Sequence, residues 1–129
     1  MNRQHPLAAR ETLRLEDLAG EPFILFPNRG RPSLADEVVA QCRQAGYEPQ
    51  VVQETSDVLS CIALVATGFG ISVVPTSTTR LRLAGVRYLP LAEPAPQVEL
   101  NCMYRKDDAS PLLRAFLEIL HRYREPNPA

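Results

Sequence analysis

Residues 64–75 read Leu-Val-Ala-Thr-Gly-Phe-Gly-Ile-Ser-Val-Val-Pro. The first residues continue a helical pattern that ends at Gly68, because glycine readily adopts the backbone conformation that closes a helix. An apolar run over 70–74 then predicts a buried strand, which Pro75 terminates. A helix followed at once by a buried strand is the repeating unit of α/β sheets. This stretch therefore predicts an α/β fold.

The same pattern occurs nearer the N-terminus. Residues 22–26, Pro-Phe-Ile-Leu-Phe, are a short continuous apolar run, which is typical of a strand buried on both faces. A helix is predicted to begin at Leu34 and to stop at Gly46, because its apolar residues recur at the helical period. Ser33 and Asp36 have the spacing of a capping box at its start.

Further strands and a helix are predicted before and after the central stretch. Residues 50–54 are predicted to form a strand, and Ser56 or Asp57 is expected to cap the helix that ends at Gly68. Residues 86–91 are predicted to form another strand. It should lie near a sheet edge, because Pro90 cannot donate a main-chain hydrogen bond.

The C-terminal part is separated from the rest by a linker with two prolines, residues 92–97. Beyond it, residues 98–104 alternate between apolar and polar side chains, which predicts a strand with one buried face. A helix over 111–123 should follow, since a serine and a proline stand in the preferred order at its start. We expect three parts: a domain over 1–97, a strand and helix over 98–124, and a tail over 125–129.

The composition is that of a single globular domain. The chain has 129 residues, of which 45% are hydrophobic, and its 14 basic and 15 acidic residues leave a net charge of −1. This balance gives no electrostatic reason to expect direct binding of nucleic acid or of a membrane. No apolar run is long enough to span a bilayer, and the N-terminus lacks the apolar core of a signal peptide. A cytoplasmic location is therefore expected.

The cysteines do not indicate a disulfide framework or a metal site. Their number is three, their spacings are long, and no CxxC pair is present. Cys42, Cys61 and Cys102 each fall on a predicted apolar face, so we expect all three to be small side chains of the core. No cofactor and no metal is predicted.

No catalytic constellation stands out. His5 and His121 lie at opposite ends of the chain, and no nucleophile motif is present. Gly68-Phe69-Gly70 is not a dinucleotide loop, because it precedes a strand instead of following one. A small α/β enzyme would require the hydroxyls of residues 76–79 to converge with a cysteine. That enzyme and a ligand-free interaction module are the two alternatives to a binding domain.

The loop over 28–33, Asn-Arg-Gly-Arg-Pro-Ser, is the best candidate binding site. It follows the carboxyl end of a predicted central strand and precedes a helix, where free N–H groups and the helix dipole attract anions. Arg29 and Arg31 add guanidinium donors that suit a carboxylate. Ser33 could contact a ligand, or its hydroxyl could serve as the helix cap.

A second group of hydroxyls follows the carboxyl end of another predicted strand. Ser77 lies in the segment Thr76-Ser77-Thr78-Thr79 after Pro75, so these side chains could line a pocket. The stronger interpretation is that they begin a helix or form a turn, because serine and threonine favour both.

Six short motifs occur in a fixed order along the chain: His5-Pro6-Leu7-Ala8, Glu21-Pro22-Phe23-Ile24-Leu25-Phe26-Pro27, Ala45-Gly46-Tyr47, Val52-Gln53-Glu54, the 64–75 run and Tyr88-Leu89-Pro90-Leu91. Over residues 5–124 this order resembles the effector-sensing domains of LysR-type transcriptional regulators. The segments 31–33 and 75–78 are most similar to the subgroup that responds to benzoate, muconate or chlorinated catechol products.

The resemblance implies a type-2 periplasmic-binding-protein fold, in which two α/β subdomains close on a small-molecule effector. Residues 7–92 would form the second subdomain, with three layers in the order α/β/α. Residues 98–123 would be the return strand and last helix of the first subdomain, most of which these 129 residues do not include.

The resemblance also implies the function. The chain would sense a small anionic effector, either an aromatic acid or a dicarboxylate, and would not be an enzyme. The loop positions that match the family's ligand contacts are Arg31, Pro32, Ser33 and Leu34. DNA would be contacted only through a helix-turn-helix, which these residues do not include, and no membrane is involved.

The C-terminal helix predicts self-association. Its apolar stripe is formed by Leu113, Phe116, Leu117 and Leu120. At about 25 cal/mol per Å², leaving four such side chains in water forfeits several kcal/mol. The stripe could fold back on its own chain or pair in a symmetric homodimer, and the dimer is the prediction. The family's sensing domains also dimerise.

Overall fold

The computed structural model describes residues 1–26, 33–97 and 102–123. The chain divides into two compact units, Met1–Val98 and Glu99–Ala129, each of which is described by itself.

The first unit is built on two parallel strands, β1 (Pro22–Leu25) and β2 (Gln50–Glu54). Phe23, Ile24 and Leu25 are all buried, so β1 is covered on both faces as its continuous apolar run predicts. The strand β2 is mostly exposed and carries an irregularity in register opposite Phe23 and Ile24. Both strands were predicted from the sequence and are confirmed.

The helix α1 (Leu34–Gln44) covers one face of β1. Its buried residues Val38 and Cys42 belong to the same apolar cluster as Phe23 and Leu25, which share that face. Tyr47 closes the C-terminal end of the helix region, where its hydroxyl donates to the Leu15 carbonyl at 2.7 Å. The predicted helix and its capping box are confirmed.

The helix α2 (Val58–Ala66) covers the opposite face of β1. Its residues Cys61, Ile62 and Val65 form a second apolar cluster with Ile24, because successive side chains of a strand point to opposite faces. The side chain of Asp57 caps α2, as predicted, by accepting from the N–H of Ser60 at 2.9 Å. The layer order is therefore helix, sheet, helix.

The predicted strands over 70–74 and 86–91 are wrong in extent. Ile71 forms a single parallel bridge with Phe23, and only Val86 and Leu91 form bridges in the later segment. Strand pairing does not extend along 70–74 or 86–91, because no further strand lies beside them within the described part of the chain. The hydroxyl-rich stretch forms a short 3-10 helix, Thr76–Arg80, in agreement with the interpretation as a helix start or turn. Two further 3-10 helices are Pro6–Ala9 and Leu15–Leu18.

The second unit contains one helix, α3 (Pro111–Arg122), among its described residues. The predicted strand over 98–104 is not seen over 102–104, while 98–101 lie outside the described residues. Cys102 is exposed, so its predicted burial is wrong. Ser110 precedes α3 but makes no side-chain capping bond, and no residue of α3 is buried.

Candidate functional site

The helix α1 follows β1 along the chain, and Ser33 is its N-cap residue. The Ser33 hydroxyl accepts from the N–H of Asp36 at 3.2 Å, while the Asp36 carboxylate accepts from the Ser33 N–H and hydroxyl at 3.1 and 2.9 Å. Ser33 thus forms the capping box of α1. This is the helix-cap role predicted for it as an alternative to ligand contact. The N–H groups of Leu34 and Ala35 have no acceptor within the described ranges.

The electrostatics of this helix start are mixed. Free N–H groups and the helix dipole favour an anion, but the carboxylates of Asp36 and Glu37 already stand in the first turn. The first turn of α1 thus supplies no positive side chain for an anionic ligand. The candidate residues Arg29, Arg31 and Pro32 of the preceding loop lie outside the described residues.

A crevice of about 690 Å³ is lined mainly by residues of the segments 71–76 and 86–97. Leu34 lines it, so one of the predicted ligand-binding residues faces this space. Ser33 and Ser77 are not among its lining residues. Ser77 is exposed on the 3-10 helix, whose Thr79 hydroxyl donates to the Thr76 carbonyl at 2.7 Å.

Ser72 is a polar residue of the crevice that the sequence reasoning missed. Its hydroxyl oxygen is buried and has no hydrogen-bond partner within the geometric limits among the described residues. The thiol of Cys61 is its polar neighbour, and burial raises the pKa of that thiol. The available signal was a single serine inside the otherwise apolar run 70–74.

The described residues bring no catalytic group together. His5 Nε2 contacts Glu21 Oε2 at 3.1 Å, and His5 Nδ1 accepts from the Leu7 N–H, so both ring nitrogens are engaged. Burial also raises the pKa of the Cys42 thiol, which keeps it protonated and unreactive at neutral pH. Within the described ranges, no group of three or more His, Cys, Asp or Glu residues could hold a metal ion. No described helix is long and apolar enough to cross a membrane.

Residues 1–125 match the family model of the LysR substrate binding domain. The chain belongs to this family. It is 41% identical over 113 residues to "HTH-type transcriptional regulator TfdS" of Cupriavidus pinatubonensis, covering 88% of this chain and 38% of that protein. The chain thus spans well under half the length of this relative.

Two solved structures show the same fold. The crystal structure of CbnR, a LysR family transcriptional regulator, matches with a TM-score of 0.85 and 30% identity, covering 98% of this chain and 44% of that one. The BenM effector binding domain with its effector benzoate matches with a TM-score of 0.71 and 26% identity, covering 98% and 61%. The predicted α/β class of the periplasmic-binding-protein type is confirmed.

The Ser33→Ala variant is expected to lose about 1 kcal/mol of unfolding free energy, because the first turn of α1 loses its side-chain cap. Ser33→Thr should retain most of the stability, since threonine can provide the same hydroxyl. Chemical denaturation of both variants measures the difference. Equal losses in the two variants would show that the hydroxyl is not the stabilising group.

Proposed function

We propose that this chain is the effector-sensing part of a LysR-type transcriptional regulator and that it binds a small carboxylate. The observation that carries the proposal is the family match over residues 1–125. It is supported by a structural neighbour that was solved with benzoate as its effector. The relatives are named as transcriptional regulators, which favours sensing over catalysis. Such a regulator works in the cytoplasm, where a helix-turn-helix domain would reach DNA.

The proposed binding site is the loop before α1 together with the first turn of that helix. The N–H groups of Leu34 and Ala35 have no acceptor among the described residues, and Leu34 also lines the crevice. Arg29 and Arg31 would supply the positive charge that offsets Asp36 and Glu37. Pro32 and Ser33 would shape the loop, whereas Ser77 would contribute only from the rim of the site.

Arg31→Ala is expected to weaken binding of benzoate or muconate about tenfold, which corresponds to 1–2 kcal/mol for one charge-assisted hydrogen bond. Isothermal titration calorimetry with each acid measures the change. Arg82→Ala is the matched control, because it removes the same charge from an exposed position far along the chain. The control should bind as the parent does.

Three results would each contradict a different part of the proposal. Unchanged affinity in Arg31→Ala, with binding intact in the parent, would remove Arg31 from the site but leave the carboxylate effector. No binding of either acid to the parent protein would favour the ligand-free interaction module instead. A measurable hydrolytic or transfer activity would favour the small α/β enzyme.

We also propose that the chain forms a homodimer through α3. The stripe of Leu113, Phe116, Leu117 and Leu120 is not buried, and Phe116 is 50% exposed. A helix with a continuous apolar stripe in water loses the stabilisation that burial provides. A second copy of the same stripe offers a self-complementary surface of matching chemistry.

A further inference from the structure

The ring of His5 connects the segment 5–9 to the residue that precedes β1. Its Nε2 lies 3.1 Å from Glu21 Oε2, and its Nδ1 accepts from the Leu7 N–H at 3.2 Å. His5 is the N-cap residue of the 3-10 helix Pro6–Ala9, so the Nδ1 contact satisfies a main-chain donor at the start of that helix. Both side chains are largely covered, since 21% of the His5 side chain and 27% of the Glu21 side chain are exposed.

These two contacts require one protonation state of the ring. Nδ1 faces an N–H donor and must carry a lone pair, whereas Nε2 faces a carboxylate and must carry the hydrogen. The neutral tautomer with its hydrogen on Nε2 satisfies both partners. A doubly protonated ring can still contact Glu21, as an ion pair, but it has no acceptor for the Leu7 N–H. A single proton therefore removes the cap and leaves the other contact in place.

The charges around the ring are those of Glu21 and of two arginines near His5 in the sequence. Arg3 Nε donates to the Val86 carbonyl at 3.2 Å, and Arg10 pairs with Asp17 Oδ1 at 2.7 Å. Neither guanidinium forms a hydrogen bond with the His5 ring. Within the described ranges, a positive charge on the ring is thus met by the Glu21 carboxylate.

The capped turn belongs to the edge of the core. Ala8 is buried, and the partly buried Leu7 packs against the apolar cluster that contains Phe23. The Ala8 N–H donates to the His5 carbonyl at 2.9 Å, and the Arg10 N–H donates to the Leu7 carbonyl at 3.2 Å. Because the helix is a single turn, the loss of the Leu7 bond to the ring loosens its start.

We propose that His5 is a proton-sensitive switch. The neutral ring caps the 3-10 helix Pro6–Ala9, and protonation releases the Leu7 N–H while the ring becomes the cationic partner of Glu21. The signal is acidification between pH 8 and pH 5, the interval in which histidine side chains ordinarily change charge. The switch lies in the segment 5–9 and depends neither on the proposed effector site at α1 nor on the proposed homodimer.

The test follows the Leu7 amide and the His5 ring nitrogens by NMR between pH 8 and pH 5.5, an interval above the ordinary titration range of carboxyl groups. After correction for the intrinsic pH dependence of exchange, the protection of the Leu7 amide is expected to fall about tenfold, as for the loss of one hydrogen bond. The ring should carry hydrogen on Nε2 alone at pH 8 and on both nitrogens at pH 5.5. The amides of α1 and α2 should keep their protection.

His5→Asn is the matched variant. Asparagine is a good N-cap residue, and its side-chain oxygen can accept from the same N–H without binding a proton in this interval. The protection of the Leu7 amide should therefore stay constant with pH in His5→Asn. His121→Asn removes the other histidine of the chain and should behave as the parent does.

Four results would each overturn the proposal. Hydrogen on Nδ1 at pH 8 would show that the ring does not cap the turn. A ring that keeps a single hydrogen down to pH 5.5 would exclude a switch in this interval. Constant protection of the Leu7 amide while the ring gains its second hydrogen would show that the turn does not depend on the cap. An equal loss of protection in His5→Asn would show that another group is responsible.

Discussion

Gly70→Ala is expected to lower the free energy of unfolding by about 3 kcal/mol. A Cβ atom at this position would lie 2.6 Å from the Pro22 carbonyl oxygen and 3.1 Å from Ile24 Cγ1. That carbonyl cannot easily move aside, because it accepts the Ile71 N–H that ties the segment to β1. Urea denaturation followed by circular dichroism measures the loss.

Gly46→Ala is the control for this variant. Gly46 has a φ of +91°, so alanine is strained there, but no atom lies within 4 Å of the added Cβ. Gly46→Ala should lower the free energy of unfolding by about 1 kcal/mol, because only the backbone conformation is strained. If both variants lost the same amount, the close approach at Gly70 would not be the cause of its effect.

Leu117→Asp is expected to convert the proposed dimer to a monomer, with a dissociation constant raised more than 100-fold. A carboxylate placed in an apolar interface costs several kcal/mol to bury, and each 1.4 kcal/mol is a factor of ten. Light scattering and sedimentation at increasing protein concentration measure the change. The effect should be large because Leu117 lies within the stripe on α3.

Ala115→Asp adds the same charge to the exposed opposite side of α3 and should leave the dimer intact. The pair of variants separates the stripe from the overall charge of the helix. A parent protein that remains monomeric at high concentration would contradict the dimer itself. Dissociation by both variants would contradict the assignment of the interface to the stripe.

The sequence predicts best those elements whose signals are local. The helices α1 and α2 carry their own caps, Ser33 and Asp57, and each ends where a glycine allows it. The strand β1 is recognisable because a short continuous apolar run is typical of a strand buried on both faces. The segments 70–74 and 86–91 have equally good patterns, but strand formation also requires a neighbour, which a pattern cannot supply.

The candidate site was predictable only in part, for a related reason. Ser33 suits either a ligand or a cap, and its hydroxyl is engaged with Asp36 in the capping box, while its role as a ligand contact stays a prediction. The buried hydroxyl of Ser72 depends on the chain that passes beside it, and no spacing in the sequence signals that arrangement. The sequence predicts that Arg29 and Arg31 carry positive charge to the site. Both residues lie outside the described part of the structure.

The position of β1 between two apolar clusters has a consequence for how the first unit melts. Phe23 and Leu25 belong to one cluster and Ile24 to the other, and among the described residues only the partly buried Phe26 packs against both. Neither cluster can lose the strand while the other keeps it. We therefore expect the two apolar clusters to unfold together in one cooperative transition. The four residues of β1, Pro22–Leu25, couple them.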